Sequence, residues 1–148
     1  TPMKKLITPI LLILLIAVIS VPALAATKKI RHSGTIVGVP DSKVTLRISK
    51  NNGRPSKVSA FKAEGVPTKC DAGDFLFQFQ SLDPTKVTKK GNFKEVLKNA
   101  DGSKLTISGT VRAHGKKVNG SLKTNDFDGG ATAGTCRTPK TKFRTKKS

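Results

Sequence analysis

Residues 104–123 read KLTISGTVRAHGKKVNGSLK, and this stretch constrains the fold more than any other because it specifies an antiparallel hairpin. Leu105, Ile107, Gly109 and Val111 alternate with Lys104, Thr106, Ser108, Thr110 and Arg112, the period of two that gives a strand one buried face. Val118, Gly120 and Leu122 repeat the pattern after a break. With His114-Gly115 as a two-residue loop, Val111 faces Val118, Gly109 faces Gly120 and Ile107 faces Leu122. A slip of one residue would set each of them against a polar partner, so the register is well specified. Such a loop needs positive φ at both positions, which Gly takes freely and His tolerates better than most residues. The facing glycines leave a gap on the inner side, and a Phe from another strand is expected to fill it.

The same period runs through much of the chain. Ile30, His32, Gly34 and Ile36 form a first alternating stripe that ends at Pro40-Asp41, and Val44, Leu46 and Ile48 form a second. Asn51-Asn52-Gly53 reads as a three-residue loop with Gly in the left-handed position. That loop sets Leu46 against Val58 and Val44 against Ala60. A third strand covers 57–62, and Gly65-Val66-Pro67 is expected to close it before Cys70. Phe75, Phe77 and Phe79 make the densest apolar stripe, read as the central core strand. Residues 92–98 carry both a capping-box pattern and a strand pattern. Seven residues make a poor isolated helix, so a strand is expected there. Asn125 to Ala131 reads as a loop, and a last strand around 140–145 points Phe143 inward. Together these predict an all-β domain, an antiparallel sandwich or small barrel of about seven to eight strands, preceded by a helical signal peptide.

That leading segment begins at Met3, with Thr1-Pro2 ahead of it. Lys4-Lys5, an apolar run centred on 10–19 and Val21-Pro22-Ala23-Leu24-Ala25 form a secretory signal pattern, with an A-x-A cleavage site before Ala26. The run is shorter than the ~20 apolar residues of a spanning helix, so no transmembrane span is expected after cleavage. The expected organisation is 1–25 signal peptide and 26–148 a single all-β domain with a basic C-terminal end. Without Lys4 and Lys5 the domain holds 26 Lys and Arg against 9 Asp and Glu, a formal +17. Such a charge predicts affinity for polyanions and says nothing about fold. Cys70 and Cys136 are the only cysteines. In an exported chain they read as a disulfide closing a loop of 65 intervening residues, worth roughly 2–4 kcal/mol.

A strand ending in Phe61, the Val66-Pro67 step with Cys70 shortly after, the KLTISGTVRAHGKKVNGSL hairpin, a Gly-rich approach to Cys136 and a basic last strand with one aromatic resemble an uncharacterised family of small exported bacterial all-β proteins with one disulfide. The resemblance covers about 34–146 and rests on turns and core positions. It implies an exported all-β domain with a Cys70–Cys136 bridge, and it implies no activity. The chain departs from the family pattern at Phe143, where Trp is common, and at Pro139, which starts the last strand late.

Catalytic signals are thin. His32 and His114 are the only histidines, and no nucleophile elbow, P-loop or zinc signature occurs. Asp126-Phe127-Asp128-Gly129 begins like a calcium loop, but Arg137 stands where the twelfth-position acid belongs, which excludes an EF-hand. A looser calcium site would use Asn125, Asp126 and Asp128; a solvated turn is the plainer reading. With no Trp and no Tyr, sugar stacking and single-stranded nucleic-acid platforms are disfavoured. No cofactor is expected.

Charge is what remains. Lys104, Arg112, Lys117 and Lys123 on the outward face of the hairpin, with Lys140, Lys142 and Arg144 on the last strand, are the candidate polyanion contacts; Lys146 and Lys147 crowd the same end. The plainer reading is that they keep the protein soluble and blunt sheet edges. The expected role is an exported, non-catalytic binding module, secreted or held at the cell envelope on anionic polymer, with no specific nucleic-acid partner. The alternatives are an enzyme built on Asp71, Asp74, Asp126 and Asp128, and a nucleic-acid-binding small barrel.

Overall fold

The structure, a computed structural model, describes residues 27–148. The signal segment read at 1–25 lies outside the described residues. Period-two patterning is realised as eleven strands: β1 (Lys28–Ile36), β2 (Val39–Asn51), β3 (Arg54–Cys70), β4 (Gly73–Ser81), β5 (Thr85–Lys86), β6 (Asn92–Lys98), β7 (Lys104–Arg112), β8 (Lys117–Thr124), β9 (Phe127–Asp128), β10 (Thr135–Arg137) and β11 (Thr141–Lys147). Three of these are only two or three residues long, and the other eight have at least seven. All pairings are antiparallel, in the order β6-β7-β8-β11-β1-β2-β3-β10-β9, with β4 and β5 also on β3. The sheet does not close. β6 forms a ladder with β7 alone, and β5 lies beside it without one.

The β7–β8 register is the expected one: Val111 pairs with Val118, Gly109 with Gly120 and Ile107 with Leu122. The loop is longer than two residues. It spans 113–116 as a 3₁₀ turn, with Ala113, His114 and Gly115 all at positive φ. Two phenylalanines occupy the glycine gap. A Cβ on Gly109 would lie 2.8 Å from Phe93 Cζ, and one on Gly120 would lie 2.4 Å from Phe143 Cζ. Phe143 also packs against Phe61, with ring centroids 5.4 Å apart. These rings join Ile36, Val44, Leu46, Ile48 and Leu122 in one core on the inner face.

Four expectations need correction. The β2–β3 connection is a two-residue Asn52-Gly53 turn, both at positive φ, rather than a three-residue loop. The shorter turn would have set Ile48 against Lys57, but a bulge between Ser49 and Lys50 restores Ile48 to Val58. A second bulge, with Ala60 at φ 50°, sets Val44 against Ala63 rather than Ala60. Each bulge adds a residue on one strand and so returns apolar side chains to the inner face. Next, Pro40 and Asp41 continue into β2; the first strand stops at Ile36, before Val37-Gly38.

Third, Gly65-Val66-Pro67 does not end β3. Gly65 sits in a bulge opposite β4, and Pro67 pairs with Leu76 on β4 while its other edge has no ladder, β2 having stopped at Glu64 and β10 starting at Lys69. A proline missing one N–H is tolerated at such an edge. Fourth, the Phe stripe is not the central strand. β4 pairs with β3 alone, and Phe75, Phe77 and Phe79 are half-buried. Phe77 and Phe79 meet Phe127 edge-on at 5.4 and 6.0 Å, and Phe127-Asp128, read as loop, forms β9. The last strand, β11, lies inside the sheet, pairing with β8 on one side and β1 on the other.

Candidate anion-binding face

Because opposed residues in a ladder point to the same side, the registers place the basic residues in rows across the outward face. Arg112 of β7, Lys117 of β8, Lys146 of β11, Ser33 of β1, Thr45 of β2 and Lys62 of β3 form one continuous row. The next holds Asn92, Thr110, Asn119, Arg144 and Thr35, and the one after it Lys94, Ser108, Ser121 and Lys142. Neighbours within a row are about 4.8 Å apart and rows about 7 Å apart. Lys104 and Lys123 extend the face along β7 and β8, and Lys140 precedes β11; every one of these Lys and Arg side chains, Lys62 alone excepted, is exposed.

Five strands, β6, β7, β8, β11 and β1, contain one acid between them. That acid, Glu95, is half-buried on the inward side and accepts a hydrogen bond from Ser81 Oγ at 2.6 Å. The outward side of those strands therefore carries cations, hydroxyls and amides, with the exposed Val96 of β6 as its apolar exception and no acid. Among the described residues none of its cations is in an ion pair; the two salt bridges are Lys62–Glu64 and Arg137–Asp126. The hydrogen bond from Lys62 to Glu64 holds that carboxyl below the usual range. A face of unpaired like charges produces a positive potential reaching about a Debye length, ~8 Å at physiological salt.

The candidate acids have a different setting. Asp71 Oδ2 accepts from the Thr135 N–H at 2.9 Å, and Asp128 Oδ1 accepts from the Gly130 N–H at 2.8 Å. Asp126 is paired with Arg137 Nε at 2.7 Å, which raises the guanidinium pKa. Asp74 lies exposed just after the β3–β4 turn. Asn125 Oδ1 accepts from the Lys104 N–H. Asp74 apart, the oxygens of the suggested calcium and enzyme sites thus hold loops in place. Around them, Cys70 and Cys136 are opposed across β3 and β10 and form the expected disulfide.

Two features escaped the sequence reading. His32 is 1% exposed. Its Nε2–H donates to Gly115 O at 2.8 Å, and its Nδ1 lies 3.3 Å from Thr145 Oγ1, which fixes the neutral tautomer and ties β1 and β11 to the β7–β8 loop. Burial lowers its pKa; the Gly115 bond opposes this and nearby Lys50 adds to it. The signal was a His at an inward strand position. The second feature is a cleft of about 590 Å³ at the unclosed edge of the sheet, where Arg54 and Lys57 of β3 meet Lys86, Lys89 and Lys90. Lys86, Lys89 and Lys90 lie close together in the sequence; their meeting with β3 depends on topology.

Compared with family models, curated proteins and solved structures, the chain finds no match in any of the three.

Proposed function

We propose that this protein is an exported, non-catalytic binding module that holds an anionic cell-envelope polymer against the outward face of β7, β8, β11 and β1. The observation that carries the reading is the Arg112-Lys117-Lys146 row, with Arg144 and Lys142 in the rows beside it and no acid among them. An extended polymer with repeating negative charge can meet several of these cations at once. The hydroxyls and amides between them, Ser121, Asn119 and Thr35, supply neutral hydrogen-bond partners. Export is supported by the signal pattern of 1–25 and by the disulfide, since such bonds persist in oxidising compartments. Among the described residues no helix is long and apolar enough to cross a membrane.

Retention of the protein on purified envelope polymer across a salt series, with duplex DNA of comparable charge as control, tests the reading. The expected result is retention at physiological salt on the polymer and much weaker, steeply salt-sensitive retention on DNA. Lys117→Gln with Lys146→Gln should release the polymer at lower salt and reduce the salt slope by about one per lost contact. Equal retention on both polymers, or none on the envelope polymer at low salt, overturns it.

A further inference from the structure

We infer that the cleft at the open edge of the sheet is a separate site for a compact oxyanion carrying two or more phosphate groups. Its five cations, Arg54, Lys57, Lys86, Lys89 and Lys90, come from two parts of the chain, and no acid lines the cleft. None of the five is in an ion pair among the described residues. Like charges gathered this way repel one another, and a bound anion relieves the repulsion. A single carboxylate neutralises one cation and a phosphate monoester carries about −1.5 to −2, so only a group with several phosphates approaches balance. Thr88, whose Oγ1 accepts from the Asn92 N–H and keeps its own O–H free, and His114 add side-chain donors, and Pro55, Val87 and Val111 provide an apolar wall. The volume, about 590 Å³, falls within the range of about 300–1,000 Å³ typical of small-ligand clefts.

The cations are held on an anchored scaffold. Lys89 and Lys90 occupy the centre of a turn closed by the Gly91 N–H to Thr88 O bond at 2.8 Å, with Gly91 at φ 87°. Gly91 O accepts from the Val111 N–H at 2.8 Å, and the Val87 N–H donates to Ser56 O at 2.9 Å, so the segment is tied to both β7 and β3. A Cβ at Gly91 would lie 2.6 Å from Val111 O, which explains the glycine. Preorganised backbone leaves mainly side-chain ordering to oppose binding.

The cleft opens at the edge of the sheet, and neither Lys117 nor Lys146 of the face lines it. Calorimetric titration of the purified protein with inorganic tripolyphosphate at about 0.15 M salt, the regime where diffuse charge is largely screened, tests it. One bound tripolyphosphate per chain is expected, with orthophosphate much weaker. Lys57→Gln with Lys89→Gln should weaken binding at least about tenfold, the loss of two charge-assisted contacts, while Lys117→Gln with Lys146→Gln on the face leaves it within about twofold, since neither residue lines the cleft. Displacement of tripolyphosphate by the envelope polymer would identify the polymer's own phosphates as the source, and failure to displace it would identify a free polyphosphorylated ligand. Absence of heat, several equivalents bound, or equal losses from the two pairs of variants overturns the site. Loss of polymer retention with tripolyphosphate binding intact would count against the face alone.

Discussion

His32 is the residue whose chemistry couples most directly to stability. Its folded pKa lies below the ordinary imidazole value, about 6.5, so below that pH the unfolded chain binds a proton that the folded chain resists. Stability from this group is therefore complete above about pH 6.5 and is lost as pH falls from there toward the folded pKa, at up to about 1.4 kcal/mol per pH unit. Thermal melts between pH 7.5 and 5 should show the protein weakening across that interval, and His32→Gln should flatten the dependence. An unchanged slope in the variant would assign the effect elsewhere. At this scale the sequence was partly legible. Alternation marked position 32 as inward, but a buried imidazole is intelligible only with its partners, Gly115 and Thr145, which are 83 and 113 residues away.

Among the elements, β11 carries the most consequence. It buries Phe143 to 1% exposure, fills the gap at Gly120 and supplies both neighbouring strands with a ladder. A chain stopped after Pro139 leaves β1 and β8 with open edges and the core without its central ring. Removing a buried Phe side chain alone typically costs about 3–5 kcal/mol, a large part of the ~5–15 kcal/mol that stabilises a domain. Scanning calorimetry, which suits a chain without Trp or Tyr, should find no cooperative transition in the truncated chain; a normal one would show that the two flanking groups of strands cohere without β11. The strand itself was legible from its alternation and from Phe143. Its place was not, because a strand's own pattern fixes which side is buried and leaves its neighbours open. The same limit made β4 look central: three Phe at spacing two announce an apolar face, which an edge strand half-covered by Phe127 also has. Bulges are harder still. Ala60 at φ 50° has no glycine to announce it, and its shift appears only as the pairing of Val44 with Ala63.

At the scale of the whole molecule, charge and covalent linkage are divided between two ends. The β2–β3 turn and the β7–β8 loop border the cationic cleft, while Asp71, Asp126 and Asp128 hold the loops around the disulfide. The Cys70–Cys136 bridge spans a sequence separation of 66 and secures β10 against β3, so its removal should cost roughly 2–4 kcal/mol. A Cys70→Ala, Cys136→Ala double variant should unfold at lower urea while retaining tripolyphosphate binding at the opposite end. Simultaneous loss of both in the still-folded protein would contradict that separation. The basic face was legible because the hairpin register was; the cleft was not, since it forms where the sheet fails to close.

The position of β11 between β1 and β8 also sets an order in time. Both of its neighbours, β1 and β8, are synthesised earlier, and every residue of β11 lies at 141–147. Until that segment is made no ladder joins the β1–β3 group of strands to the β6–β8 group. Their union is a contact between distant parts of the sequence, the kind that makes β-rich domains slow to fold. The complete sheet therefore cannot form before residues 141–147 are available, and every earlier segment waits on the last strand to be made.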